Sequence, residues 1–470
     1  MPARLLLLAS LLAAPALAGN ADPRGVIPTE RPRVTNGSAC GDSVPVGSLA
    51  LPDLVDLALC RNSATAAAWA SVRSAAAGVG IARAANLPTA TVSVGPTLSR
   101  TDFFRNESFT TGGQTFSSTS NGTDLGATAG LALDYLIFDF GGRRARIDGA
   151  RASQAVALAN FADTAQGVAL DTVTAFNAVV ANRASVTAAR ASIEFAQSSF
   201  DTARAREVAG VATPSDRLQA RSSLAQAELT LTQAEGNLRT SQGQLSTVVS
   251  LPPSTRLDLA PPPALPATAR LTGDVDALIA EAERLRPDIL SQRAQLDAAA
   301  AQVRVAKSDL RPSVSANANN NVSVLGGSND RNSASVGVSL NVPIFNGGAR
   351  RYAVTQAEAE RDRAAAIAEQ IRQQAGLDVF TQHTALDTAI RSLATARVLV
   401  ESSIAAADIA QGRYRAGVGT FTDLLNAQSQ LASARQQLVQ ADFDVRSGQA
   451  RLARAIGGIG AEVDSMRTGR

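Results

Sequence analysis

Side chains that commonly carry enzyme chemistry are scarce in this sequence of 470 residues. The sequence has a single histidine, His383, so metal sites built from several histidines are excluded. His383 is predicted to lie in the middle of a long helix, which argues against a histidine-based catalytic triad. The glycine pairs at 141–142 and 347–348 precede predicted helices, but the lysine of a phosphate-binding loop does not follow them. The sequence therefore argues against an enzyme and predicts no cofactor and no metal site.

Two aspartates occupy equivalent places in a motif that occurs twice. Asp216 ends the sequence AGVATPSD at 209–216, and Asp423 ends AGVGTFTD at 416–423. The glycine suits the left-handed end of a helix, and the threonines and serines before each aspartate suit the N-cap of the next helix. Both carboxylates are then predicted in a first helical turn, where they interact favourably with the helix dipole. This structural role alone accounts for both aspartates.

The two cysteines, Cys40 and Cys60, both lie near the N-terminus. In an oxidising compartment they are predicted to form a disulfide that ties the N-terminal segment to the first helix. Two unpaired, small core residues are the alternative. Neither cysteine directly follows the predicted signal peptide, so no lipid anchor is expected.

Residues 1–18 are predicted to be a secretory signal peptide. A positively charged start, an apolar core at 5–14 and a small-residue cleavage site at 16–18 have the required order. A retained membrane anchor is the alternative, but nothing after the cleavage site extends the apolar run. Residues 19–48 are predicted to form an N-terminal periplasmic segment.

Charge and hydropathy indicate whether the chain binds nucleic acid and how it could enter a membrane. The 44 basic and 41 acidic residues give a formal charge of only +3, so nothing predicts binding to nucleic acid. No stretch of about 18 uninterrupted apolar residues follows the signal peptide, so no transmembrane helix is predicted. Any insertion into a membrane is therefore predicted to use β-strands that close into a barrel.

The mature chain is predicted to contain two copies of one structural unit. The two aspartate motifs are 207 residues apart, since 423 minus 216 is 207, and other matching pairs keep the same shift. Repeat 1 is assigned to 49–260 and repeat 2 to 273–458. A proline-rich linker at 261–272 separates them, and a tail at 459–470 follows.

Each repeat is predicted to contain two strands, at 89–98 and 127–140 in repeat 1 and at 313–324 and 333–345 in repeat 2. The last of these alternates apolar with small or polar residues, as in Val336-Gly337-Val338-Ser339-Leu340. Such alternation is typical of a barrel wall with lipid outside and water inside, although a soluble sandwich strand has the same pattern. The polar segments between the strands are predicted to be solvated loops.

The remaining helices are unusually long, at 142–208 and 215–250 in repeat 1 and at 348–415 and 422–457 in repeat 2. The first would extend about 100 Å at 1.5 Å per residue. In the last, Leu424, Leu431 and Leu438 repeat every seven residues between alanines, which is a coiled-coil pattern. An ordinary helical bundle is the alternative, but heptads joined to barrel-type strands favour a cylinder of helices.

These residues resemble the TolC family of outer-membrane efflux proteins over most of the mature chain, from Leu49 to Gly458. The resemblance rests on the two aspartate motifs, on Leu87-Pro88 before the first strand and on the sequence PIFNGG at 343–348. It implies an α+β membrane protein: a homotrimer whose 12-stranded β-barrel, four strands per chain, continues as a long α-helical coiled-coil tunnel in the periplasm. It also implies two partners besides outer-membrane lipid, namely a periplasmic adaptor and an inner-membrane pump of the ABC or RND type.

The resemblance also assigns roles at the helical tips. Two turns are expected to dock the adaptor, and their residues are Gly210, Val211, Gly417 and Val418. Asp423 matches a position where three carboxylates ring the closed periplasmic end of the tunnel, and we expect their mutual repulsion to raise the pKa of each. Asn426 replaces a second acid there, so the constriction should carry less negative charge.

The same resemblance implies a hydrogen bond between Asp216 and Tyr414 that joins neighbouring helices in the closed gate. A basic residue of that lock corresponds to Gly419 in this sequence, so the lock is expected to lack it.

The segment LALCRN at 57–62, with Cys40 upstream, resembles the family branch that serves type I secretion, including cyclolysin exporters. Protein export is therefore one expected function, and small-molecule efflux is the other. A soluble periplasmic coiled-coil scaffold or adaptor without a pore is the competing class. An adaptor would carry one helical hairpin beside compact β-domains, whereas this chain repeats hairpin and strands together.

Overall fold

The structure is a computed structural model that describes residues 22, 25–30, 48–101, 108–111, 114–117, 122–262, 274–325, 331–461 and 463. The predicted signal peptide and Cys40 lie outside the described residues. Cys60 lies within them and is not a free thiol. Its pairing with Cys40 stays a prediction.

The described residues form eight helices and six strands. The helices are α1 (Leu51–Arg61), α2 (Ser63–Ala84), α3 (Gly142–Val208), α4 (Pro214–Val248), α5 (Val275–Leu285), α6 (Pro287–Ser308), α7 (Ala349–Arg415) and α8 (Phe421–Ile456). The strands are β1 (Thr89–Thr101), β2 (Ser108–Thr111), β3 (Gln114–Ser117), β4 (Gly122–Phe138), β5 (Ser313–Leu325) and β6 (Arg331–Asn341). The order helix, helix, strands, long helix, helix thus occurs twice along the chain.

The chain divides into two units, and each contains residues from both sequence repeats. Unit 1 comprises 1–28, 74–154 and 295–365, and unit 2 comprises 29–73, 155–294 and 366–470. All six strands belong to unit 1, whereas the turns between the long helices and their successors belong to unit 2.

Unit 1 contains an antiparallel sheet in the order β1-β4-β5-β6. The register places Ala90, Leu133, Ala318 and Val336 in one row across the four strands. The adjacent row consists of Thr91, Ala132, Asn319 and Ser335. Because paired residues share a face and successive residues alternate, one face of the sheet is apolar and the other is small or polar.

The apolar face is exposed in the single chain. Val336 is 87% exposed, and Val92 and Val338 are also largely open to the surroundings. On the polar face the Ser335 hydroxyl donates to Asn319 Oδ1 at 2.8 Å. The sheet therefore carries an apolar surface that unit 1 does not cover with the described residues.

Two strand predictions differ from the structure. The strand predicted to reach residue 345 ends at Asn341, just before Pro343, which has no N–H group to donate to a ladder. The segment between β1 and β4 was expected to be a loop, but its described residues include the hairpin of β2 and β3. The register of that hairpin pairs Phe109 with Phe116.

Unit 2 is built on the apolar stripes of its helices. Leu54, Phe176 and Leu245 are fully buried in one cluster, and Leu386 and Leu452 are fully buried in another. The heptad residues Leu424 and Leu431 of α8 are also buried, as coiled-coil seam positions should be. None of the described helices combines the length and hydrophobicity needed to cross a membrane.

The junction between α5 and α6 contains a buried arginine in unit 2. Arg286 adopts an extended conformation between the two helices. Its guanidinium donates to both carboxylate oxygens of Asp288, at 3.1 and 2.8 Å, to Asp378 Oδ2 at 2.8 Å and to the Ala455 carbonyl at 3.0 Å. Burial alone would raise the pKa of Asp288, but the hydrogen bonds and charge of Arg286 hold that pKa below its ordinary value.

We expect Asp288→Asn to lower the free energy of unfolding at pH 7 by about 1–2 kcal/mol, because it removes a charged partner of a buried arginine. The native pKa of Asp288 is lowered, so its contribution is present above the unfolded pKa and is lost as the pH falls through the native pKa. The difference between variant and wild type should therefore shrink below about pH 4. Thermal unfolding of both proteins in detergent, from about pH 7 to below about pH 4, measures this difference in stability.

The matched control is Asp408→Asn, which changes an exposed aspartate of α7 that makes no hydrogen bond or ion pair with the described residues. It should leave the unfolding midpoint unchanged at every pH. If the free energy of unfolding of Asp288→Asn stayed below that of the wild type by the same amount at every pH, the electrostatic explanation would be contradicted.

Candidate functional site

The two turns at the ends of the long helices have the same backbone structure. Gly210 and Gly417 have positive φ angles of 71° and 82°. The Val211 N–H donates to the Arg206 carbonyl at 2.9 Å, and the Val418 N–H donates to the Arg413 carbonyl at 3.0 Å. A side chain at either glycine would be strained, which explains why both copies of the motif have glycine there.

The turns present apolar side chains to solvent. Val211 is 62% exposed and Val418 is 69% exposed in the single chain. The four residues predicted to dock an adaptor therefore form two exposed turns, Gly210-Val211 and Gly417-Val418.

Each turn leads into a helix that a threonine caps. The Thr213 hydroxyl accepts from the Asp216 N–H at 3.3 Å, and the Thr420 hydroxyl accepts from the Asp423 N–H at 3.1 Å. The second cap is a full capping box, because the Thr420 N–H also donates to Asp423 Oδ2 at 3.3 Å. The structure thus shows both aspartates in the helix-start role that their sequence motif predicts.

The expectation of a raised pKa at Asp423 is not met within one chain. Hydrogen bonds from the Thr420 hydroxyl and backbone N–H lower the pKa of the Asp423 carboxyl, and the positive charge of Arg413 adds to this effect. The expected repulsion requires the carboxylates of two further chains, whereas the capping box acts within each chain. Asn426 lies exposed three residues further along α8 and contributes no charge.

Tyr414 is buried between the two turns in an apolar cluster with Ala203, Ala220, Phe421 and Leu424. Its ring meets that of Phe421 edge to face, with 5.3 Å between ring centroids. Its hydroxyl oxygen is buried and has no hydrogen-bond partner among the described residues. Burial and the negative charge of Asp216 raise the pKa of Tyr414, so the two groups interact electrostatically. Their predicted hydrogen bond is not formed within this chain and stays a prediction.

The family model of the outer membrane efflux protein matches residues 54–250 and 278–458. This chain belongs to that family. The two matched blocks fall within the two predicted repeats.

Two relatives are similar in sequence over most of their length, and one solved structure has a similar fold. The chain is 30% identical to Protein CyaE of Bordetella pertussis over 420 residues, covering 88% of this chain and 85% of that protein. It is 28% identical to the pyoverdine export outer membrane protein OpmQ of Pseudomonas aeruginosa over 425 residues, covering 88% and 86%. The structure of the outer-membrane channel OprN matches with a TM-score of 0.75 at 24% identity, covering 87% of this chain and 90% of that one.

The predicted family, outer-membrane location and exit-duct function are thereby confirmed. The family consists of transport ducts rather than enzymes. His383 lies on α7, and its Nε2 is buried without a hydrogen-bond partner among the described residues. No group of three histidine, cysteine, aspartate or glutamate residues in the described part of the chain could hold a metal ion.

For this efflux-family protein, the sequence reasoning missed Arg206 at the end of α3. Its guanidinium donates to the carbonyls of Tyr414 and Arg415 and, at 3.4 Å, to that of Val211. The 207-residue shift aligns Arg206 with Arg413, so the repeat itself held the signal that a basic residue stands at both turns. At Gly419, where the family resemblance places the basic residue of the lock, an added Cβ atom would lie 3.0 Å from the Arg413 Cβ.

Proposed function

We propose that three copies of this outer-membrane exit duct form one continuous channel. A 12-stranded barrel would cross the outer membrane, and a tunnel of long helices would extend into the periplasm. A periplasmic adaptor and an inner-membrane pump, of the ABC or RND type, would complete the export system.

The exposed apolar face of the sheet carries this proposal. In the row Ala90, Leu133, Ala318 and Val336, all four strands contribute an apolar residue to one face. The outer edges of β1 and β6 have no strand partner among the described residues. Unpaired edges invite pairing with another chain. Three chains joined edge to edge supply twelve strands, an even number within the range of membrane barrels.

The turns support the proposed docking. Gly210-Val211 and Gly417-Val418 are the exposed ends of two long helical hairpins, and their valines offer apolar contacts to a partner. We propose that the adaptor binds these turns, as the family resemblance implies. The channel would open on docking if the adaptor binds the open arrangement of the helices more tightly than the closed one.

The constriction is proposed to lie at the start of α8. Asp423 of each chain would face the channel axis, with the neutral Asn426 next to it. The Asp216–Tyr414 hydrogen bond is proposed to form as the gate closes, because the Asp216 charge already acts on Tyr414 and the hydroxyl has no partner among the described residues.

The cargo is proposed to be either a secreted protein or small molecules. The similarity to Protein CyaE and the segment at 57–62 favour the type I secretion branch. The similarity to a pyoverdine exporter favours small-molecule export. Copurification of the adaptor with its pump, followed by secretion assays in a strain lacking the duct, distinguishes the two cargo classes.

Two neighbouring substitutions test the barrel. Val336→Lys places a charge on the apolar face, whereas Ser335→Lys places the same charge on the polar face of the same strand. A lysine that faces lipid costs about 2–4 kcal/mol at the membrane centre. We therefore expect Val336→Lys to abolish or strongly reduce trimers in the outer membrane, and Ser335→Lys to be tolerated. Membrane fractionation measures how much of each variant reaches the outer membrane, and native mass spectrometry in detergent measures whether it forms trimers.

The same experiment tests the soluble alternative. A soluble scaffold would leave the membrane with salt or alkali, would show a mass other than three chains, and would tolerate both lysines equally. Any of these results would contradict the barrel, whereas single-channel currents from the wild-type trimer in planar bilayers would support it.

A further inference from the structure

We infer that Arg206 is a positioning residue that fastens the two turns of one chain together and holds Tyr414 in place at the proposed gate. This inference rests on the proposed channel and adds a residue to its gate that lies outside the two aspartate motifs. It assigns to repeat 1 the basic group that repeat 2 lacks at Gly419.

The contacts of Arg206 connect the two repeats. Its guanidinium binds the Val211 carbonyl of its own turn and the Tyr414 and Arg415 carbonyls of the other turn, more than 200 residues away in the chain. The last carbonyls of a helix lack partners within that helix and carry its partial negative charge. The C-terminal end of α7 is therefore a favourable site for a guanidinium group, which presents several N–H donors in one plane.

The same guanidinium also covers the buried tyrosine. Its central carbon lies 4.8 Å from the centroid of the Tyr414 ring. On another side the ring packs against Phe421. Because the hydroxyl makes no hydrogen bond with the described residues, packing and the cation hold this ring in place.

The equivalent arginine of repeat 2 does not play this role. Arg413 is exposed and makes no hydrogen bond with the described residues through its side chain, although its charge acts on Asp423. The two turns have the same backbone, but of the two equivalent arginines only Arg206 donates to carbonyls of the other turn. Arg415 also reaches the other repeat, where it donates to the Ser198 hydroxyl on α3 at 2.9 Å. We therefore expect a displacement of the Gly210-Val211 turn to be passed to the Gly417-Val418 turn through Arg206.

Loss of this fastening should open the gate at rest. We expect Arg206→Ala to raise the resting conductance of purified trimers in planar bilayers about fivefold or more, the size of a typical coupling between sites. Arg206→Lys should give an intermediate value, because an ammonium keeps the charge but cannot reach several carbonyls at once. Arg204→Ala is the matched control, since it removes an exposed arginine that makes no hydrogen bond or ion pair with the described residues.

A second measurement does not require a working channel. Hydrogen–deuterium exchange in detergent should become faster in peptides covering 412–420 in Arg206→Ala and should stay at the wild-type rate in Arg204→Ala. Channels with wild-type conductance and exchange in Arg206→Ala would overturn the inference and leave the proposed channel intact. If the wild-type protein carried no current, the proposed channel would fail, and the exchange rates alone would decide whether Arg206 fastens the turns.

Discussion

Neutralising Asp423 is expected to reduce the cation selectivity of the channel, by up to about tenfold in the ratio of potassium to chloride permeability at low salt. The reason is electrostatic. In a trimer each chain would contribute one Asp423 carboxylate to the constriction, and the hydrogen bonds from Thr420 lower the pKa of that carboxylate within each chain. Asp423→Asn removes these charges with little change in size. Reversal potentials across planar bilayers in a salt gradient measure the ratio, and high salt should weaken the effect by screening.

The matched control is Asp216→Asn at the equivalent position of α4. Both aspartates follow a capping threonine, so both substitutions lose a similar helix-start interaction. Of these two substitutions, only Asp423→Asn should change the cation selectivity. Asn426→Asp adds a second carboxylate one turn away and should raise cation selectivity above that of the wild type. Equal selectivity in all four proteins would remove Asp423 from the constriction.

Truncating Phe176 is expected to have the largest effect on stability. The side chain is 1% exposed and belongs to the core cluster that α1, α3, α4 and α8 form in unit 2. Phe176→Ala removes the ring and leaves a cavity, which costs about 3–5 kcal/mol per chain. We expect lower yields of folded protein and an unfolding midpoint several degrees below that of the wild type in detergent.

Phe176→Leu is the graded control, since it keeps most of the buried volume and should cost about 1 kcal/mol. The order wild type, leucine, alanine in unfolding midpoint is the expected result. If alanine were tolerated as well as leucine, the cluster around Phe176 would not be the core of unit 2.

Much of the fold is visible in the sequence because its signals are local. The strands alternate with a period of two, and the long helices repeat their apolar residues every three to four positions. The bounds of α3 coincide with the predicted 142–208, and α8 at Phe421–Ile456 is shifted by one residue from the predicted 422–457. The motif around Asp216 and Asp423 predicted two glycine turns and two capped helices, because a cap depends on residues within one turn of each other.

Other properties depend on segments that are distant in sequence. The alternation in β4 and β5 does not say that the two repeats pair with each other, yet that pairing joins their apolar rows into one surface. Likewise the composition of β2 and β3 resembles a loop, and only their mutual pairing makes them strands.

In the candidate site, too, some features follow from local sequence and others depend on tertiary contacts. The sequence by itself determined the turns, the helix starts and the places of Asp216 and Asp423, because backbone conformation there follows from neighbouring residues. Only the tertiary structure decided that Arg206 reaches the carbonyls at the end of α7, that the Tyr414 hydroxyl is buried, and that capping lowers the pKa of Asp423. Hydrogen-bond partners and local charge depend on which atoms approach in space, and a pattern along the chain does not contain that information.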